Sequence, residues 1–568
     1  MRGEAETNSG PKFPDKQTWL FLICFFCLYF IFFLIFSPFQ FLDGDDAMEA
    51  IWALAKQKGI DPYQFPLHGY QSRSGTFALI YLCSFVLRSP QLAFGILSAV
   101  SASLALAILP LYSCLILGIK PKAIHWLLIF CSAVEIVYAG LYPNAAIIGY
   151  GLGFLSIFLS LWLSVNNKKY YSYFFSGALY GLALAASMSA GYLCLTFPLQ
   201  HFLFRKDRNL NQILGNFGLE IFSGMIVYLG FQSLMGLSPL AAFQEFQDVY
   251  QRFSGFLPTY TIITFLGAFT ISVMLITFIG TILLIYYRRG PAFFIGSANF
   301  LLFSLILGLA FTAVKSFQHA LSMYIIVCFS VIYIWELLKK PYQKYLYFII
   351  IILPLLFGLR LYLPEQPYRG PGFSEIDLGK PLTLEEKDHQ GLGGFRIWQS
   401  PKVMVKGRGI RLALGSGFML PTVDGGRAFG GYLWSWMIDW KPYLDSINQP
   451  YQTIMQSGEN DLVMGQFAVA AITMYNLVRD GYRPSYIYWR DFYFKKGDRI
   501  VRNYWYFNVL SEYVGKDEMS LDLAPKSITQ ALLIVSPSFA YRLETKELSI
   551  KDFSYQSYGY FGFKIKRE

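Results

Sequence analysis

The sequence predicts an α-helical polytopic membrane protein with a mixed α/β domain at its C-terminal end. Of its 568 residues, 55% are apolar and 18% aromatic, and mean hydropathy is +0.41. Charged residues are only 15% of the chain, against roughly 25% in ordinary globular domains. Apolar runs of helix length follow one another from Trp19 to Tyr362 and then stop. Runs of that length and composition are read as membrane helices.

Taken in order, residues 1–17 are polar, with Arg2, Lys12 and Lys16, and read as a cytoplasmic tail. Trp19–Phe36 is long, strongly apolar and lacks a small-residue cleavage site, so it is expected to stay as the first membrane helix. Further apolar segments lie near 77–88, 91–118, 123–140, 145–165, 173–203, 213–235, 260–287, 291–313, 319–338 and 345–362, about eleven in all. An odd count with the N-terminus inside puts the loop after the first helix and the C-terminal domain outside. Arg205 to Arg208, Arg288-Arg289 and Lys339 to Lys344 then fall inside, as the positive-inside rule expects. Lys120, Lys122 and Lys168-Lys169 fall outside and break it, so the segments between 91 and 170 are either divided wrongly or include a re-entrant one.

The net charge of +11 gives little support to nucleic-acid binding, because much of it lies in these short clusters. All seven cysteines (Cys24, Cys27, Cys83, Cys114, Cys131, Cys194 and Cys328) belong to the apolar part, and none is spaced as a metal ligand. The expected division is a tail (1–17), a membrane module (18–362) and an external domain (363–568).

The stretch 38–76 is the most informative. Asp43, Asp45 and Asp46 stand within four residues, Glu49 follows one helical turn later, and Arg73 closes the loop. Ionisable groups at a membrane boundary are costly to desolvate and mark functional sites by default. Asp46 with Glu49 also reads as an N-cap with its capping-box partner, which leaves Asp43 and Asp45 unexplained. Met48, Ile51, Trp52 and Ala55 give one apolar helix face, stopped by Gly59 and Asp61-Pro62.

Asp45-Asp46, Glu49, Gly59 and Arg73-Ser74 resemble, in order and spacing, the first external loop of the GT-C integral-membrane glycosyltransferases. The tract is similar to the polyprenyl-phosphate-sugar protein mannosyltransferases and aminoarabinose transferases and to the GPI mannosyltransferases. It departs from them in having Asp-Asp for Asp-Glu, and Ser74-Gly75 where a Pro-Pro often stands. The resemblance implies a GT-C fold and inverting transfer from a polyprenyl-phosphate donor to a hydroxyl. Asp45 would be the base, with Asp46 and Asp43 as orienting or metal-binding alternatives. Arg73, Lys315 and His319 are candidates for the donor phosphate, the last two four residues apart and so on one helix face. A snorkelling lysine explains Lys315 equally well.

Glu135 is an isolated carboxylate in an apolar run, read either as the class's second acid or as a group satisfied by a neighbouring helix. The small-residue segment 177–199 is explained by close helix packing. No cofactor is assigned; Mg2+ or Mn2+ among Asp43, Asp45 and Asp46 would suit hard carboxylate ligands.

After the Pro/Gly-rich linker 364–372 come charges, turns and short strands, with strands expected at 486–489, 531–537 and 559–566 and a helix at 460–481. The glycines of 391–395 and 424–434 read as turns. Tyr432, Trp434, Trp436 and Trp440 would either stack on sugars or lipid headgroups, or fill the domain's core.

The expected activity is a glycosyltransferase of the cell envelope. Its partners would be a lipid-linked sugar donor, membrane lipids and a glycan, lipid or protein acceptor. A bacterial inner membrane is the expected location, since no retention signal or Asn-glycosylation use is visible. A transporter or flippase of lipid-linked saccharides is the alternative; its mark would be inverted repeats with paired broken helices, and no internal repeat is evident. A mere membrane anchor would need one helix.

Overall fold

A computed structural model of the chain describes residues 15–37, 39–41, 44–61, 65, 73–166, 170–204, 209–240, 244, 271–299, 321–347, 418–421, 427–430, 451–452, 462–465, 467–488, 491–505, 518–519, 529–534, 543–544, 546, 549–558 and 562–568. These form two compact units of interleaved chain. One comprises Met1–Ser37, Gln71–Ala78 and Ile96–Leu355; the other comprises Pro38–Tyr70, Leu79–Gly95 and Leu356–Glu568.

The first unit is a helical bundle. Helix α1 (Lys16–Phe36) is capped by Asp15, whose carboxylate accepts from Thr18 N at 2.8 Å. Most of its side chains are exposed, as lipid-facing positions must be; Thr18, Tyr29 and Phe33 are the buried exceptions. Tyr29 donates to the Trp126 carbonyl at 2.9 Å, and a Cβ added at Gly140 would lie 2.6 Å from the Phe33 ring. Among the described residues, four helices have the length and apolarity to cross a membrane: α1, α4 (Pro90–Leu117), α7 (Ala145–Val165) and α10 (Leu210–Met235). Shorter apolar helices include α11 (Ile271–Tyr286) and α12 (Tyr324–Leu337), which pack together and are followed by α13 (Lys340–Tyr347).

Two expected segments prove to be broken. The run 123–140 divides at Ala133 into α5 (Ala123–Ser132) and α6 (Val134–Gly140). The run 173–203 divides into α8 (Tyr173–Ala186), a 3-10 turn (Met188–Leu193) and α9 (Thr196–Phe204). Near the end of α9, His201 reaches Ser164 at the end of α7 and packs edge-on against Tyr173 at the start of α8. This segment is therefore a hairpin whose two ends meet, not one crossing. Small residues make the turn and its packing possible. A Cβ at Gly181 would collide with the Gly224 backbone, and one at Gly149 would lie 2.7 Å from Ser187 Cβ.

The apolar segment expected at 77–88 is helical. Helix α3 (Ser74–Leu87) has 14 residues, and from Leu79 onward it belongs to the second unit together with the C-terminal domain. It ends at Arg88, in the left-handed region at φ 57°, and Ser89 then caps α4 through its Oγ to Leu92 N at 3.3 Å. Pro90, the first residue of α4, suits a helix start.

The second unit packs α2 (Gly44–Gln57) against α14 (Phe467–Arg479), which lies on a seven-stranded mixed sheet. Met48, Ile51, Trp52 and Ala55 are fully buried, as the helical pattern predicts. Gly59 (φ 64°) ends α2, with Ile60 N bonded to Ala55 O and Gly59 N to Lys56 O, a Schellman stop. The strands are β1 (Phe418–Pro421), β2 (Arg427–Gly430), β3 (Leu462–Gly465), β4 (Arg483–Tyr488), β5 (Asp491–Lys496), β6 (Arg499–Trp505), β7 (Glu518–Met519), β8 (Gln530–Ile534), β9 (Ser549–Ile550), β10 (Phe553–Tyr558) and β11 (Gly562–Arg567). The large sheet runs β10-β11-β8-β3-β6-β5-β4, with β3 parallel to both β6 and β8.

Strands β4, β8 and β11 fall where the pattern places them. The expected helix 460–481 is shorter, because its first apolar residues form β3 between β6 and β8. Of the glycines of 424–434, expected in turns, Gly430 lies instead at the end of β2, paired to β1, and the others lie outside the described residues. The glycines of 391–395, and Tyr432, Trp434, Trp436 and Trp440, lie outside the described residues.

Candidate functional site

Helix α2 starts three residues earlier than the capping-box reading requires, so Asp46 is not its cap. Asp46 instead sits in the first turn, where a carboxylate interacts favourably with the helix dipole. Asp46 is 5% and Glu49 1% exposed, three residues apart and so on one helix side. The cause of their burial is the helix's place in the second unit. Phe41, just before α2, packs edge-on against Tyr475 of α14 with ring centroids 4.8 Å apart. The Tyr475 hydroxyl accepts from Gln91 N at 3.3 Å, and Gln91 Nε2 donates to Phe39 O at 3.1 Å. Burial pushes the Tyr475 hydroxyl above its ordinary pKa, which keeps it protonated. Gln57 of α2 donates to Ser84 of α3. Two carboxyl groups are thus held on a short, anchored helix. The side chain of Asp45 and the whole of Asp43 lie outside the described residues.

The first unit holds the other candidates. Arg73 is half-buried, in the turn that opens α3. The next residues fix that turn. Thr76 Oγ1 donates to Ala186 O at 2.9 Å, and a Cβ at Gly75 would lie 2.7 Å from the Ala185 and Ala186 backbone. Gly75 is therefore required by close approach, which gives a physical reason for its standing where a proline is common in the resembling families.

The α8–α9 turn carries a hydroxyl cluster that sequence reasoning missed. Ser187 and Ser189 are 2.6 Å apart, and Tyr150 of α7 has Ser189 among its polar neighbours. Its only sequence signal was Ser-Met-Ser at the end of a small-residue helix. Irregular backbone within an apolar bundle is tolerated only where protein buries it or it lines a cavity.

Glu135 falls on α6, but its side chain lies outside the described residues, as do Lys315 and His319 entirely. Where the resembling families often place a second acid, Asn144 caps α7. Its Oδ1 accepts from Ile147 N at 3.2 Å, its Nδ2 donates to Tyr142 at 3.1 Å, and its backbone N donates to Ser98 Oγ at 2.8 Å. A second missed feature is the hydrogen-bonded pair of His201 and Glu220, at 2.9 Å and almost wholly buried. Among the described residues, no three of His, Cys, Asp and Glu are grouped to hold a metal ion.

No protein-family model matches the sequence, and no curated protein matches it. The fold does match a solved structure. It is similar to ArnT from Cupriavidus metallidurans, in a crystal structure bound to undecaprenyl phosphate. The likeness has a TM-score of 0.53 at 9% sequence identity and covers 97% of this chain and 98% of that one. The chain thus has an ArnT-like fold.

Proposed function

We propose that the protein is a polyprenyl-phosphate-sugar-dependent glycosyltransferase that transfers to a hydroxyl acceptor on the extracytoplasmic side, with inversion. The observation that carries this is the ArnT-like fold over nearly the whole of both chains. The donor's lipid stays in the bilayer, while its phosphate and sugar lie in the interface that the first loop serves. Asp45 takes the acceptor's proton as general base, oriented by Asp46 and Asp43. Arg73, Lys315 and His319 stabilise the departing phosphate. Glu135 is kept as the second acid. No step is routed through a metal; loss of transfer on chelation, restored by Mg2+ or Mn2+, would add one at Asp43, Asp45 and Asp46.

Sidedness is supported by charge. If α3 does not cross and 173–204 is a hairpin, the loops with Lys120, Lys122, Lys168 and Lys169 move inside, and Arg205 to Arg208 stay there. Both exceptions to the positive-inside rule vanish, while the parity that puts the C-terminal domain outside is unchanged. The bacterial inner membrane is the proposed location.

The test is transfer by purified full-length protein in lipid, using a radiolabelled polyprenyl-phosphate sugar. Asp45→Asn is expected to lower turnover about 10²–10⁴-fold, the usual contribution of a general base, with thermal stability unchanged. Arg73→Ala should raise the donor KM. The broken helices favour one other reading, a flippase. Unchanged turnover in Asp45→Asn, together with translocation of the labelled lipid across a vesicle, would replace the transferase with it.

A further inference from the structure

The C-terminal domain has a basic sheet face that the transfer chemistry above does not use. Between Arg483 and Trp505 stand six cations (Arg483, Arg490, Lys495, Lys496, Arg499 and Arg502) against two carboxylates, Asp491 and Asp498. Strand register sorts them. Phe494 and Val501 pair and are fully buried, and α14 packs on this sheet. Lys496, two residues from Phe494, donates to Asp480 O just after α14 at 2.7 Å. That face therefore belongs to α14.

The opposite face carries two rows. Arg483, Lys495 and Ile500 are aligned in one, and Tyr493 and Arg502 in the next. Arg483, Lys495 and Ile500 are exposed, and Tyr493 and Arg502 are half-buried. The Arg502 guanidinium lies over the Tyr493 ring at 5.3 Å from its centroid. A guanidinium held this way has less rotamer freedom to lose when it takes an oxyanion in two-point contact. Asp491 shares this face by register, at the far end of the strand.

We propose that this face of β4–β6 binds an anionic saccharide, a glycan chain bearing carboxylates or phosphates, and that this glycan is the acceptor. Charge complementarity selects the ligand class: Arg483, Lys495 and Arg502 face one way on a flat surface, and Tyr493 and Ile500 supply apolar area for the sugar rings. Side chains about 5 Å apart within a row, with rows about 7 Å apart along the strands, suit a linear polymer better than a single compact ion. The acceptor role rests on the transferase reading; the binding does not.

The test uses full-length protein in nanodiscs of uncharged lipid. Binding of polygalacturonate oligosaccharides is compared with that of dextran oligosaccharides of equal length. Expected results are selective binding of the acidic probe, weakening with salt, and at least a tenfold loss of affinity in Lys495→Glu/Arg502→Glu. Arg483→Gln/Lys495→Gln, confined to exposed side chains, should lose several-fold with thermal stability unchanged. Equal binding of both probes, or affinity indifferent to both double variants, would overturn the proposal. So would charge-dependent binding to anionic-lipid vesicles without binding to the oligosaccharide. Asp45→Asn is expected to bind the probe normally. If it does while wild type transfers no sugar, the transferase reading fails and the binding site stands.

Discussion

Two histidine–glutamate pairs in the helical bundle have the same chemistry in different surroundings. His201 and Glu220 are 0% and 1% exposed. Glu220 is held at both oxygens, by His201 at 2.9 Å and by Ser176 Oγ at 2.6 Å, while the second ring nitrogen of His201 meets Ser164 Oγ at 2.8 Å. This set ties α7, α8, α9 and α10 together. His125 is equally buried, but its partner Glu336 is 23% exposed and is also gripped at both oxygens by the half-exposed Lys122, at 2.7 Å. The Lys122 backbone N–H donates to His125 Nδ1 at 3.3 Å, so the ring presents its Nε2 proton to Glu336. The difference lies in what can replace a lost partner. Water can reach Glu336; at Glu220 there is only protein.

The comparison breaks most sharply at Glu220. Glu220→Ala leaves a buried imidazole and serine without their acceptor and is expected to destabilise the bundle by about 3–5 kcal/mol, the range for breaking a buried pair. Thermal unfolding in nanodiscs measures it, and a loss no larger than that of Glu336→Ala would refute the contrast. Gly181→Leu comes next, at about 1–3 kcal/mol, because overpacking must part α8 from α10 and shift the frame that holds His201 against Glu220. A wild-type melting curve for this variant would mean that the helix contact is slack.

Glu336→Ala should cost less than about 1 kcal/mol, as for other solvent-reached pairs, and added salt should shrink the difference from wild type. The smallest effect belongs to Asp15, a fully exposed carboxylate. The Thr18 N–H and hydroxyl hold it below the usual carboxylate pKa. A lowered folded-state value means that the cap's contribution is present above the ordinary Asp pKa and fades as pH falls through the lowered one. Asp15→Ala should therefore melt slightly earlier than wild type near neutrality and equally in strong acid.

The membrane class, the carboxylates at the head of α2, the apolar face behind them and the Gly59 stop were legible because each depends on neighbours a few residues away. The α2 start was misplaced because Asp43, Asp45 and Asp46 are equally good local cap candidates, and only the backbone chooses among them. Helix α14 was found, but β3 was absorbed into it, since a four-residue apolar run fits either period. The hydroxyl cluster and the His201–Glu220 pair left almost no trace, because their members come from separate helices and each alone looks like an ordinary polar residue.

By itself, then, the sequence determined that the chain enters a bilayer, where its charges concentrate and which short loop gathers its carboxylates. These follow from hydropathy and spacing, which act along the chain. Tertiary structure decided that α3 is shared between two units, that 173–204 doubles back, and which carboxylates are buried. Those outcomes depend on distant groups such as Tyr475 beside Phe41, or Glu220 beside His201, whose approach is set by packing and not by any local preference.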